Sequence, residues 1–170
     1  MSISTRAVAM SVGVTVVLAL AGCGATAQPG PTRAQYVKKA NAVCATAAAQ
    51  IGPLVNRIKA EATALATGGA SSTQRLAADL RQLHTAAAGD LAQLRQLKQP
   101  SGDHAAISRF LTPLSSFVDS IDKAAGFVAS GNLPQALALL GQAATVEQQA
   151  AQNAHAYGLL RCEELLPSLS

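Results

Sequence analysis

The chain has 170 residues, 49% of them hydrophobic but only 3% aromatic, with no Trp. That length suits one domain with a real core, and an apolar content dominated by Ala and Leu points to helices rather than strands. The formal charge of +4 is mild, and no Lys/Arg cluster is interleaved with aromatics, so nucleic acid is excluded as a partner class.

Met1 to Thr5 with Arg6 form a short, weakly positive start, and Ala7 to Leu20 an apolar run too short for a lasting transmembrane helix. Leu20-Ala21-Gly22-Cys23 then reads as a bacterial lipobox. It implies export, cleavage between Gly22 and Cys23, and a diacylglyceryl thioether carrying palmitate-type chains on Cys23. An ordinary secretory signal with a fortuitous cysteine is the plainer alternative, and LAGC at this place disfavours it. The absence of a twin Arg favours general secretion. Residues 1–22 are thus expected to be a lipoprotein signal peptide, 23–31 a lipidated cysteine with a flexible Gly/Pro/Ala-rich tether, and 32–170 the folded domain.

Thr32 and Gln35 stand at capping-box spacing. Tyr36, Val37, Ala40, Val43, Cys44, Ala47 and Ile51 follow at helical steps, and the stripe resumes after Gly52-Pro53 with Leu54, Val55, Ile58 and Ala62. The pattern predicts a first helix kinked at Pro53 and ending near Gly68-Gly69. Ser71, Ser72 and Thr73 offer caps for a second helix, with Gln74 at capping-box distance from Ser71. Its stripe is Leu76, Leu80, Leu83, Ala87, Leu91, Leu94 and Leu97, stopped by Gln99-Pro100-Ser101-Gly102.

Asp103 can cap a third helix bearing Ile107, Phe110, Leu111, Leu114, Phe117, Val118, Ile121, Ala125 and Val128, read as one helix kinked at Pro113. Gly131 ends it, and Asn132 with Gln135 opens a fourth around Pro134. That helix carries Ala136, Leu137, Leu140, Ala143, Ala144, Ala150, Ala151 and Ala154 and stops at Gly158. Leu159 to Ser170 reads as a tail containing Cys162.

The fold expected is all-α, an up-down-up-down four-helix bundle with helix 4 beside helix 1. Once Cys23 is assigned to lipid, Cys44 and Cys162 are the remaining cysteines, and the bundle brings them to the same end. An even pair in an oxidising compartment reads as one disulfide.

Tyr36 to Ala47, YVKKANAVCATA, together with Ala156 to Cys162, AYGLLRC, resembles uncharacterised actinobacterial lipoproteins and secreted helical proteins. Those share a Tyr-x7-Cys first helix and a closing Tyr-Gly-Leu-x-x-Cys segment. The resemblance implies the helical fold and the disulfide, and it carries no catalytic residue.

His84, His104 and His155 fall on separate elements without metal-ligand spacing, so they read as solvated or incidental. Asp119 and Asp122 share a helix face beside Lys123, which a solvated surface explains. Tyr36 and Tyr157 are expected to pack over the disulfide end. No nucleophile elbow or phosphate loop occurs, so no catalytic, cofactor or metal residues are assigned and the chain is not expected to be an enzyme. The reading is a membrane-anchored envelope lipoprotein acting as a binding or structural module. The alternative is a carrier holding an apolar ligand between its helices. Its partners are then the membrane, through diacylglyceryl-Cys23, and an envelope protein or lipid, with the domain on the extracytoplasmic side. From Cys23 to Lys98, nine basic residues face three acidic ones, and the remainder is net acidic. Lys38, Lys39, Arg57 and Lys59 are the candidate contacts to an anionic surface.

Overall fold

The computed structural model describes residues 30–68 and 72–166. Gly22, Cys23, the signal segment, most of the tether and Ser71 lie outside the described residues. Within them the chain forms α1 (Arg33–Ala66), α2 (Thr73–Gln96), α3 (His104–Ala129), α4 (Leu133–Tyr157) and the short α5 (Leu160–Leu165). No strand occurs among the described residues, and none of their helices is long and apolar enough to cross a membrane.

Local chemistry sets most boundaries. Thr32 caps α1 through its side chain while Gln35 Oε1 accepts the Thr32 amide at 2.9 Å, a complete capping box. Ser72, rather than Ser71, caps α2 by accepting the Arg75 amide. Asn132 accepts the Gln135 amide at the start of α4, with Pro134 in the first turn, where its missing N–H is harmless. Gly158 closes α4 at φ 92°, a left-handed conformation that Cβ disfavours, and the Leu159 amide bonds back to the Ala154 carbonyl at 2.8 Å.

Both internal prolines sit inside unbroken helices. Pro113 cannot donate to the Arg109 carbonyl one turn earlier. Asn153 Nδ2 on α4 donates to that carbonyl at 2.9 Å, so an interhelical bond replaces the missing intrahelical one.

The helices run up, down, up and down. Tyr157 at the end of α4 meets Arg33 at the start of α1 and Asp103 before α3. At the opposite end, Glu61 of α1 meets Arg75 of α2 at 3.8 Å. The expected tail differs: part of it is α5, which packs on both α1 and α4. Six residues are too few to display a helical period, which is why the sequence shows only a tail there.

α5 positions Cys162, whose sulfur bonds Cys44 of α1 with Cα atoms 4.9 Å apart. Asn41 ties the same junction by donating to the Gly158 carbonyl and accepting the Arg161 amide. Around it Tyr36, Ile51, Ile107, Phe110, Leu159 and Leu166 are almost wholly buried. The bond spans 118 residues of chain, for which loop-closure models give about 4–5 kcal/mol. Reduction should lower the melting temperature by several degrees while far-UV circular dichroism stays helical. Native protein with alkylatable thiols at Cys44 and Cys162 would overturn the pairing.

Candidate functional site

The disulfide end is packed and serves as a clamp. Arg33 lies 4.4 Å from the centre of the Tyr157 ring, and Tyr36 meets that ring edge-on at 6.0 Å. The Tyr157 hydroxyl donates to Asp103 Oδ2 at 2.6 Å. Burial, followed by this bond to a carboxylate, pushes the Tyr157 pKa far up, and burial raises that of Tyr36. Asp103 therefore departs from its expected role. It precedes α3 in a helical conformation and makes no side-chain cap; its carboxylate is turned to Tyr157 instead. Behind the clamp is a hollow of about 30 Å³ beside Cys44, Phe110 and the buried Asp90. That is space for about one water, and burial raises the Asp90 pKa.

The other half of the bundle is open. α1 and α4 approach sparsely, because α5 occupies the space between them only at the disulfide end. Beyond it the two helices form the walls of a groove, and α2 and α3 form its floor. One hollow of about 260 Å³ lies between Val55, Ile58 and Lys59 of α1, Leu80 and Leu83 of α2, Phe117 and Ile121 of α3, and Leu140, Ala144 and Glu147 of α4. A second of about 230 Å³ shares Ile58, Ala62, Leu80 and Leu140 with it and continues to Leu65, Val128, Leu133 and Leu137. Small residues explain the gap, since Ala62, Ala66, Ala136 and Ala144 line it where larger side chains would fill it. Leu137, 69% exposed, forms an apolar lip.

Glu147 is the exceptional residue. It is 3% exposed, its Oε1 has no hydrogen-bond partner, and burial pushes its pKa up to about 7 despite the opposing pull of the Lys59 charge. Lys59 itself is exposed and stands at the groove wall. A signal for Glu147 is present in the sequence. It occupies a core position of the α4 stripe, spaced four from Ala143 and three from Ala150, both buried. Asp90 does the same on α2, three from Ala87 and four from Leu94.

The four basic residues singled out from the sequence do not share one face. Lys38 and Lys39 are exposed in the opening turns of α1. Arg57 faces α2, bonded to Asp79 through Nη2 at 2.8 Å and to Gln82 at 3.0 Å, and its pKa is raised by the bond to Asp79. Lys59 faces the groove. Among the histidines, His155 pairs with Glu163 at 2.8 Å and His104 with Gln99 at 2.6 Å. Among the described residues no three His, Cys, Asp or Glu gather as a metal site. Comparisons with protein-family models, curated proteins and solved structures find no match to this chain.

Glu147 sets a pH dependence of stability. Its folded pKa of about 7 lies above its ordinary value of 4.5, so between those pH values the unfolded chain has released a proton that the native one keeps. Its effect on stability is complete below the lower value and is lost as pH rises to the upper one, a fall of about 3 kcal/mol. Glu147→Gln removes this dependence. Denaturant titrations at acid and slightly alkaline pH should show the wild-type chain losing more stability than the variant as pH rises. Equal losses would show that Glu147 ionises freely.

Proposed function

We propose that the chain is an exported lipoprotein, anchored to an envelope membrane through diacylglyceryl-Cys23, whose helical domain is a non-catalytic module that holds an apolar ligand. The groove between α1 and α4 carries the binding reading: its two joined hollows together reach the size range of small-molecule sites, about 300–1,000 Å³. This favours the carrier reading over a purely structural one and moves the ligand from the bundle interior to an open seam. A lone carboxyl and an exposed lysine among aliphatic side chains do not form an acid–base set around a reacting bond, which supports a binding role.

LAGC at Leu20 to Cys23 supports the anchor, and the Cys44–Cys162 bond is of a kind that persists in oxidising compartments. The tether joins α1 at the disulfide end. From Thr32 to Val55 the helix advances about 35 Å, so the groove lies away from the tethered end. Lys38 and Lys39 stand within two turns of the tether, placed to meet an anionic bilayer.

Two variants test this reading. Cys23→Ser should shift the protein from the membrane fraction to the soluble one, and unchanged retention would refute the lipid anchor. Ala144→Phe puts a ring into the groove and should abolish uptake of an apolar fluorescent dye without lowering the melting temperature. Dye uptake that is absent in both chains, or equal in both, would refute the groove as a binding site.

A further inference from the structure

The groove is apolar along most of its length and polar at one place. Glu147 lies at the end nearer the disulfide, and the lining from there toward Leu137 is aliphatic apart from Phe117 and Lys59. A carboxyl that is 97% buried with an unpartnered oxygen is costly in an empty apolar groove, because it has lost water and gained no bond. Lys59, on the wall across from Glu147, forms no ion pair within 4.0 Å among the described residues and senses the carboxyl only through space. Both side chains line the same hollow of about 260 Å³.

We infer that the groove takes a single-chain fatty acid, with its carboxylate between Lys59 and Glu147 and its hydrocarbon tail running toward Leu137. This rests on the groove being a ligand site and adds the ligand's chemistry. One cation matches one monoanionic head, and Lys59 gives it a charge-assisted bond. Glu147 in its protonated form donates its hydrogen to the bound carboxylate, so the two carboxyl groups share one proton and avoid facing each other as like charges. An amine head would meet Lys59 as a like charge. A neutral alcohol, or the ester and amide chains that lipidation would place on Cys23, would leave Lys59 without its counter-charge. A two-chain lipid would have to fit its second tail into the same pair of joined hollows of about 260 and 230 Å³.

The pH dependence follows from the same groups. The lining contributed by α2 and α3 is Leu80, Leu83, Phe117 and Ile121, so Lys59 is the one charged side chain facing Glu147 in the groove. Below a pH of about 7 Glu147 is already protonated in the empty groove, while a fatty acid is ionised above the ordinary carboxylate range. Above about 7 the empty groove has released the proton and binding must take it up again. Affinity for the carboxylate should therefore be level on the acid side and fall about tenfold per pH unit on the alkaline side.

The test uses the exported Cys23→Ser chain, stripped of lipid, with palmitate, methyl palmitate, hexadecanol and hexadecylamine as probes. Palmitate should bind one per chain and at least about tenfold more tightly than the other three, the size expected of one charge-assisted hydrogen bond. Lys59→Gln should remove that preference while leaving hexadecanol unchanged, and Glu147→Gln should flatten the pH profile. Lys59 is exposed, so its variant tests the idea even if Glu147→Gln folds poorly. Equal binding of all four probes, blocked by Ala144→Phe, would overturn the fatty-acid assignment and leave the groove reading standing. Tighter binding of hexadecylamine would overturn it as well. Failure of every probe to bind would sink both.

Discussion

Four long helices have to be joined into a ring, and in this chain the last joint is covalent and local. Cys162 reaches Cys44 because the left-handed turn at Gly158 ends α4 and redirects the chain into α5, which lies against both α1 and α4. The rest of that end follows from the bond. Arg33 and Tyr36 of α1, Asp103 before α3 and Tyr157 of α4 come from three places in the sequence, and the ring contacts of Arg33 and Tyr36 with Tyr157 depend on α1 being held where the disulfide puts it. A link over so long a stretch of chain acts mainly on the unfolded ensemble. Buried aromatic contacts and the Asn41 bonds act on the native state, so the same end is stabilised by two separate mechanisms.

Nothing comparable closes the other half of the ring. The seam between α1 and α2 there is held by Arg57 with Asp79 and Arg75 with Glu61, and α3 and α4 pack closely. Between α1 and α4 the lining includes Ala62, Ala66, Ala136 and Ala144, whose methyl groups leave the space beside them unfilled. Larger aliphatic residues at Ala62, Ala136 and Ala144 would bury more area and stabilise the apo protein. An open apolar trough with a buried, unpartnered acid is the opposite of what stability alone favours, and such local conflicts mark functional positions.

Much of the architecture was legible because its determinants are local. The capping pairs Thr32–Gln35 and Asn132–Gln135, the stop at Gly158 and the four apolar stripes all act within one or two turns, and the structure uses them, with Ala62 and Leu137 of the stripes left exposed. The cysteine pairing was legible through topology, since an up-down-up-down order leaves few places for Cys162. What the sequence hid depends on tertiary contact. Asp103 looks like a cap until Tyr157, fifty-four residues away, claims its carboxylate. The carbonyl that Pro113 leaves without an intrahelical donor is satisfied by Asn153 of α4, forty-four residues further along the chain. Glu147 was visible as a polar residue at a core position, but its significance depends on α1 standing away from α4, and no local pattern encodes that distance.

Charge shows the same limit. The first half of the chain carries a strong basic excess, which suggests a positive face for helices 1 and 2. In the fold, Arg57 turns to Asp79, Arg75 to Glu61 and Lys59 to the groove, so the excess is divided among a helix seam, the groove wall and the exposed turns at Lys38 and Lys39. Exposed pairs such as Arg57–Asp79 are screened by water and weakened by salt. Lys59 differs because the Glu147 carboxyl near it is shielded from water, and a charge beside a low-dielectric groove acts more strongly than the same charge on a solvated face. A count of charges therefore gives the sign of the domain's surface but misplaces its effect. Lys59 lies beside a buried acid, in the half of the bundle that the disulfide does not close.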